Sequence, residues 1–131
     1  MSWHKQQRRS ASHHQETVQE LEGILKGIER SEELITSLRM EMDEVNDKYP
    51  AQRTAQQDVD FLTDLLGCAK KRLLLEKQIG SLKKRVPAAL EQVSKVISDP
   101  KAPPTPEMHA SLLDMLRRVQ HAMEHLDSLV R

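Results

Sequence analysis

Apolar residues recur with heptad spacing along the first part of the chain, and this pattern predicts a long amphipathic helix. The alternation of three and four residues holds for four heptads, which is typical of a coiled coil. Ser12, with Gln15 three residues later, predicts a helix start near residue 12. Pro50 ends the helix after Tyr49. The seam positions are Leu21, Ile24, Ile28, Ser31 (the single polar lapse), Ile35, Leu38, Met42, Val45 and Tyr49.

A second helix is predicted from about residue 51 to residue 98, with two apolar stripes that are out of phase. The phase changes at Leu73-Leu74-Leu75, and Pro87 predicts a kink or a restart of the helix. The first stripe contains Val59, Leu62, Leu66, Ala69 and Leu73. The second contains Ile79, Leu82, Val86, Ala89, Val93 and Val96.

A third helix is predicted over residues 105–131, after a proline-containing linker at 98–104. Thr105, Pro106 and Glu107 supply an N-cap hydroxyl, a proline in the first turn and an acid near the positive end of the helix dipole. A wide apolar face follows, so this helix should pack on the others. It contains Leu112, Met115, Leu116, Val119, Met123, Leu126, Leu129 and Val130.

These elements predict an all-α fold: an elongated antiparallel coiled-coil hairpin with a third, shorter helix packed on one half, like a three-helix bundle. At about 1.5 Å per residue the helices are roughly 55, 70 and 39 Å long. The third helix can therefore cover only the half near residues 16–33 and 75–97. We expect one helical domain over 12–131, preceded by a disordered, basic arm at 1–11.

Composition agrees with an elongated helical protein. Aromatic residues make up 2% of the 131 residues and charged residues 31%, and the formal net charge is zero. Cys68 is the only cysteine, the first residues lack the apolar run of a signal peptide, and no stretch is long and apolar enough to span a membrane. We therefore expect a cytoplasmic protein, with the nucleus or the cytoskeleton as alternatives.

Charge is distributed unequally between the first two helices. Reflecting the chain about Pro50 places acids of the first helix near bases of the second. We expect Glu29, Glu32 and Glu33 to lie near Lys70, Lys71 and Arg72, and Glu16, Glu20 and Glu22 near Lys77, Lys83, Lys84 and Arg85. The same basic clusters also permit a nuclear or nucleic-acid-binding interpretation, but no aromatic side chains lie among the bases to stack on single strands.

No set of residues in the sequence predicts catalysis, a cofactor or a metal. There is no glycine-rich phosphate loop and no G-x-S-x-G motif. His121 to His125 matches H-x-x-E-H, the motif of one class of zinc peptidases, but only six residues follow it and no third ligand is evident. We interpret the protein as a non-enzyme.

The half of the hairpin that the third helix cannot reach is the predicted binding site. Two helices alone should leave broad apolar stripes open, and an open apolar groove on a protein surface usually binds another protein. The predicted partner-binding residues are Leu38, Met42, Val45, Val59, Phe61, Leu62, Leu65 and Leu66. An acidic rim is expected around them, formed by Glu41, Asp43, Glu44, Asp47, Asp58, Asp60 and Asp64.

The sequence therefore predicts a protein–protein interaction module, a coiled-coil adaptor or subunit of a larger assembly such as a cytoskeletal, centrosomal, kinetochore or vesicle-tethering complex. The partner is expected to supply a helix for the groove, and a second copy of the chain fits the same stripe equally well. The alternatives are a co-chaperone-like three-helix module that binds through a charged face, and the nucleic-acid binder that uses the basic segment 70–85.

Overall fold

The fold is a set of three helices, with the first packed against the other two. The computed structural model describes the backbone of residues 2–130 and the side chains of residues 13–130. The helices are α1 (Ser2–Lys48), α2 (Ala55–Ser98) and α3 (Pro106–Val130), and residues 2–130 contain no strand. α1 packs against both α2 and α3. The predicted all-α, three-helix-bundle-like fold is confirmed.

Threonine caps begin α2 and α3. The Thr54 hydroxyl accepts from the Gln57 backbone N–H at 3.2 Å, and the Gln57 side chain accepts from the Thr54 N–H at 3.0 Å. This capping box places the start of α2 at Ala55, four residues later than the predicted residue 51. At α3 the Met108 N–H donates to the Thr105 hydroxyl at 3.2 Å, as the sequence predicted.

The start of α1 differs from the prediction, whereas the continuity of α2 at Pro87 agrees with one of the two predicted alternatives. α1 begins at Ser2, so the helix includes the segment that we expected to form an arm. The side chains of residues 1–12 lie outside the described residues. An established helix extends at low cost through residues without glycine or proline, and none occurs between Ser2 and Ser12. α2 continues through Pro87 to Ser98, so it does not restart at this proline.

The pairing register of α1 and α2 differs from a simple reflection about Pro50. The last residue of α1, Lys48, lies beside Asp64, at 3.6 Å between the ammonium and the carboxylate. The first turns of α2 therefore extend past the end of α1. The connection runs back along these turns, because Tyr49 packs edge-on against Phe61 at 5.4 Å and the Arg53 guanidinium lies 4.1 Å from the Phe61 ring centroid.

The main core lies where all three helices meet. Seam residues of α1 are enclosed there by the second stripe of α2 and the apolar face of α3, as predicted. The Arg39 guanidinium donates to the Leu129 carbonyl at 2.5 Å, so α3 ends beside Arg39. The buried members are Leu21, Ile24, Ile28, Ile35, Leu82, Ala89, Val93, Val96, Leu112, Met115, Val119 and Leu126.

Ser31, the polar lapse in the α1 seam, is fully buried in this core. Its hydroxyl donates to the Gly27 carbonyl one turn earlier at 2.9 Å. A buried hydroxyl with a hydrogen-bond partner costs little compared with an unpaired one. The seam therefore continues through Ser31 without an unsatisfied polar group.

Gly27 and Gly80 have different surroundings, so we expect substitution by alanine to change the free energy of unfolding in opposite directions at the two positions. A Cβ at Gly80 meets nothing within 4 Å, whereas a Cβ at Gly27 lies 2.9 Å from Cδ2 of buried Leu82. We expect Gly80→Ala to raise the free energy of unfolding by about 0.5–1 kcal/mol through helix propensity. We expect Gly27→Ala to lower it, because Leu82 must move in a packed core. Denaturant unfolding of both variants measures the difference, and a stabilised Gly27→Ala would contradict the close helix approach.

Candidate functional site

The eight predicted partner-binding residues divide into two groups in the structure. Leu38 and Val45 are buried, and Met42, Phe61 and Leu65 are partly buried beside them. Val59, Leu62 and Leu66 are instead exposed on another side of α2. The eight residues thus do not form one open groove. The first five belong to a second, smaller core at the end of the hairpin, together with Cys68 and Tyr49.

This division exists because the first half of α2 has two apolar faces. Phe61, Leu65 and Cys68 share one face at spacings of four and three residues, and this face packs on α1. The first stripe predicted for α2, which contains Val59, Leu62, Leu66, Ala69 and Leu73, is exposed and is not the face that packs on α1. Cys68 is accordingly buried, and its neighbour Ala69 is exposed.

We define the outer stripe as the exposed apolar side chains Val59, Leu62, Leu66 and Leu73 of α2. Their exposed fractions are 57%, 62%, 56% and 58%. Their spacings of three, four and seven residues place them along one side of the helix. Single exposed leucines are common on protein surfaces, but four along one helix side form a contiguous apolar strip.

A groove between α1 and α2 borders the outer stripe. It encloses about 370 Å³, and its charged lining residues are one base, Arg72, and one acid, Glu76. Leu73 belongs to both the groove and the stripe. The remaining lining residues are Leu38, Met42, Leu65, Cys68 and Ala69.

The groove continues the α1 seam on which α3 packs. Met42 follows Ile28 and Ile35 at heptad spacing, and those two residues lie in the core that contains α3. α3 ends beside Arg39, one turn before Met42. The length difference between the helices therefore leaves the next part of this seam without a third helix.

The predicted acidic rim does not surround this apolar groove. Glu41 and Glu44 line a separate groove between α1 and α3, together with Glu29, Glu32 and Glu33. Asp60 and Asp64 line a third cavity beside Lys48 and Tyr49. Asp58 accepts from the Arg53 guanidinium at 2.8 Å. Acid and base are balanced around this groove. Three of the predicted acids, Glu41, Glu44 and Asp64, line another groove between α1 and α2 beside Val45 and Cys68, together with Lys48 and Lys71.

Ion pairs between α1 and α2 follow the observed register. Arg85 pairs with Glu20 at 3.1 Å, within the set predicted by reflection. Lys71 pairs with Glu41 and not with Glu29, Glu32 or Glu33, because the connection shifts the pairing of the two helices. Such partly exposed pairs contribute about 0–1 kcal/mol each, so they affect the orientation of the helices more than their stability.

The histidines of the H-x-x-E-H motif lie on the exposed side of α3. His125 Nδ1 lies 2.9 Å from a carboxylate oxygen of Glu32 on α1, and His121 is exposed. In the part of the chain that the structure describes, no group of three or more His, Cys, Asp or Glu is placed to hold a metal ion. The helices within residues 2–130 include none that is long and apolar enough to cross a membrane.

Tyr49 and Asp64 join the end of α1 to α2 and make this contact measurable. The Tyr49 O–H donates to Asp64 at 2.6 Å, which is the main reason that the pKa of this phenol is raised above 10.0; desolvation is the next cause. Because the pKa of Tyr49 is higher in the folded chain than in the unfolded chain, its contact with Asp64 stabilises the fold fully at pH values below the unfolded-state pKa. This contribution is lost as the pH rises through the folded-state value.

We therefore expect Tyr49 to form tyrosinate at a higher pH than a free tyrosine, and Asp64→Ala to lower this pKa towards 10.0. Tyr49 is the only tyrosine, so ultraviolet absorbance reports this one group. Lys48→Ala serves as a matched control, since Lys48 contacts both side chains and its positive charge lowers the pKa of Tyr49. Identical titration midpoints for the wild type and Asp64→Ala would contradict the contact.

Searches against models of protein families, characterised proteins and solved structures found no match to this chain. The fold alone therefore defines the class of the protein, which is all-α with three helices in residues 2–130.

Proposed function

We propose that this chain is a non-enzymatic protein–protein interaction module that binds an amphipathic helix along the outer stripe and the adjoining groove. The observation that carries the proposal is the exposure of four large apolar side chains along one side of α2, next to an apolar groove. Amphipathic helices bind such surfaces by inserting apolar residues one and two turns apart. In this role the chain is an adaptor or a subunit of a larger assembly.

The structure of the hairpin end supports this proposal. The smaller core holds α1 and α2 together through Leu38, Val45 and Cys68 without using the outer stripe. The binding surface is therefore formed before a partner arrives, and little conformational entropy is lost when a helix docks. The Thr54 capping box strengthens the start of α2, where the stripe begins.

The basic segment 70–85 supports nucleic-acid binding less well. Lys71 and Arg85 are held by Glu41 and Glu20 of α1, which places a carboxylate beside each. Carboxylates at these positions reduce the positive potential that a phosphate backbone requires. The apolar surface is therefore the better-supported binding site.

The test is affinity purification of the tagged chain from cells, with two matched double variants of α2. Leu62→Asp with Leu66→Asp places charges on the outer stripe. Leu90→Asp with Ile97→Asp places the same charges at exposed apolar residues near the other end of the helix. We expect the first variant to lose bound proteins and the second to retain them, with equal helicity by circular dichroism. Retention of every bound protein by both variants would remove the proposal.

A further inference from the structure

The outer stripe belongs to a longer run of apolar heptad positions. Ala55 and Ala69 are also exposed, and with the stripe they give six consecutive seam positions at alternating spacings of four and three. These positions are Ala55, Val59, Leu62, Leu66, Ala69 and Leu73. A run of this length is a complete seam for one further helix, about 27 Å long.

We propose that the helix occupying this seam is α2 of a second copy of the chain, in antiparallel orientation. This inference rests on the proposed function, because it names the partner of that same surface. The first reason is the size of the side chains. In the antiparallel arrangement centred between Leu62 and Leu66, Ala55 meets Leu73, Val59 meets Ala69 and Leu62 meets Leu66 of the other copy.

Every outer layer of this arrangement places a small side chain opposite a larger one. The distance between the two helices therefore stays even along the seam, as close packing requires. A parallel arrangement in register would instead place alanine against alanine at two layers and leucine against leucine at three. The two helices would then leave gaps at the alanine layers.

The flanking charges give a second, independent reason. In the antiparallel arrangement Asp58 lies opposite Arg72 of the other copy, and this pair occurs twice. Asp58 keeps about half of its side chain exposed (54%) although Arg53 contacts one of its oxygens. Arg72 is exposed as well. On the other flank, Lys70 meets the neutral Gln56 and Thr63 meets Thr63.

The parallel arrangement has the opposite electrostatic character. It places Arg72 beside Lys77 of the second copy and leaves Asp58 beside Thr63. Two like charges would then face each other on both sides of the seam, with no opposite pair to offset them. Charge and side-chain size thus select the same orientation, and neither depends on the other.

The seam is short, about two and a half heptads, so we expect a reversible dimer whose population increases with concentration. Sedimentation equilibrium over a range of concentrations measures this association. We expect Asp58→Arg to raise the dimer dissociation constant by about tenfold, because it replaces two attractive pairs with two repulsive ones. Adding Arg72→Asp restores opposite charges and should return the dissociation constant close to the wild-type value.

Cysteine cross-linking tests the orientation. The Thr63 side chains of the two copies lie next to each other only in the antiparallel arrangement, and Thr63 is exposed. In a Cys68→Ala background, which removes the only native cysteine, Thr63→Cys should form a disulfide-linked dimer on mild oxidation. Lys77→Cys should not form a disulfide. It has the same heptad position, but the antiparallel arrangement places the two copies of residue 77 at opposite ends of the seam. The oxidised Thr63→Cys dimer should keep the helicity of the unlinked chain.

Each contrary outcome overturns this inference in a recognisable way. A wild-type chain that stays monomeric at every concentration excludes the second copy. The proposed function still holds in that case if the Leu62 and Leu66 variants lose a different protein that the wild type retains. A dimer that the Thr63→Cys variant does not link is not antiparallel along this seam. A dimer that Leu62→Asp leaves intact forms through another surface. A monomer from which stripe variants lose nothing removes both proposals.

Discussion

A chain that ends at Asp99 and therefore lacks α3 is expected to lose its cooperative thermal unfolding transition. Four side chains of α3 are buried in the main core, where they enclose the seam of α1; they are Leu112, Met115, Val119 and Leu126. Burial of one such side chain contributes about 1.5–3 kcal/mol, so the four contribute about 6–12 kcal/mol. The net stability of a protein of this size is about 5–15 kcal/mol. Circular dichroism during heating measures the outcome.

The control for this truncation keeps α3 and changes its outer face. Leu113 and Val130 are exposed on α3, so Leu113→Asp with Val130→Asp should leave the melting transition within a few degrees of the wild type. A shortened chain with wild-type helicity and a sharp melting transition would show that α1 and α2 are stable alone. The role of α3 as the cover of the α1 seam would then be wrong.

The second large effect is expected at the outer stripe. Leu62→Asp with Leu66→Asp should weaken the complex made through this surface by at least about a hundredfold. Two leucine side chains lose about 3–6 kcal/mol of burial, and each 1.4 kcal/mol is a tenfold change in affinity. Both side chains are more than half exposed in the chain alone. The fold should therefore be unchanged while binding is lost.

The measurement is the dissociation constant of the complex, whether the chain binds a second copy or a captured partner. Sedimentation serves for the first case and titration calorimetry for the second. Leu90→Asp with Ile97→Asp is the matched control, because it adds the same two charges to exposed apolar positions of the same helix. An equal loss of affinity in both double variants would point to a general effect of negative charge and would contradict a stripe-specific contact.

The acidic groove between α1 and α3 illustrates how the third helix redistributes charge. Glu29, Glu32 and Glu33 were expected to meet bases of α2, but they line a groove whose other wall includes His125 and Leu129 of α3. The acids of α1 that pair with bases of α2 are Glu20, as expected, and Glu41. Charge complementarity along the sequence predicted the antiparallel hairpin correctly. It predicted the neighbourhood of the Arg85–Glu20 pair but not the partner of Lys71, because exposed pairs are weak and follow the register.

The sequence by itself determined the three helices and the class of the fold. Heptad spacing, Pro50 and the Thr105 cap are local signals, so they act in the same way whatever surrounds them. The capping box at Thr54 and Gln57 was also present in the sequence. It predicts the start of α2 more accurately than Pro50 does, because it names the residues that satisfy the first N–H groups of the helix.

Only the tertiary structure decided which face of α2 packs on α1. Both faces of its first half are apolar at helical spacing, so hydrophobicity alone gives them nearly equal preference. The connection settles the choice, because Tyr49 and Arg53 pack on Phe61 and Asp64 accepts from Tyr49. These contacts turn Phe61, Leu65 and Cys68 towards α1 and leave Val59, Leu62, Leu66 and Leu73 exposed. Local spacing defines an amphipathic face, whereas its partner depends on contacts between residues distant along the chain.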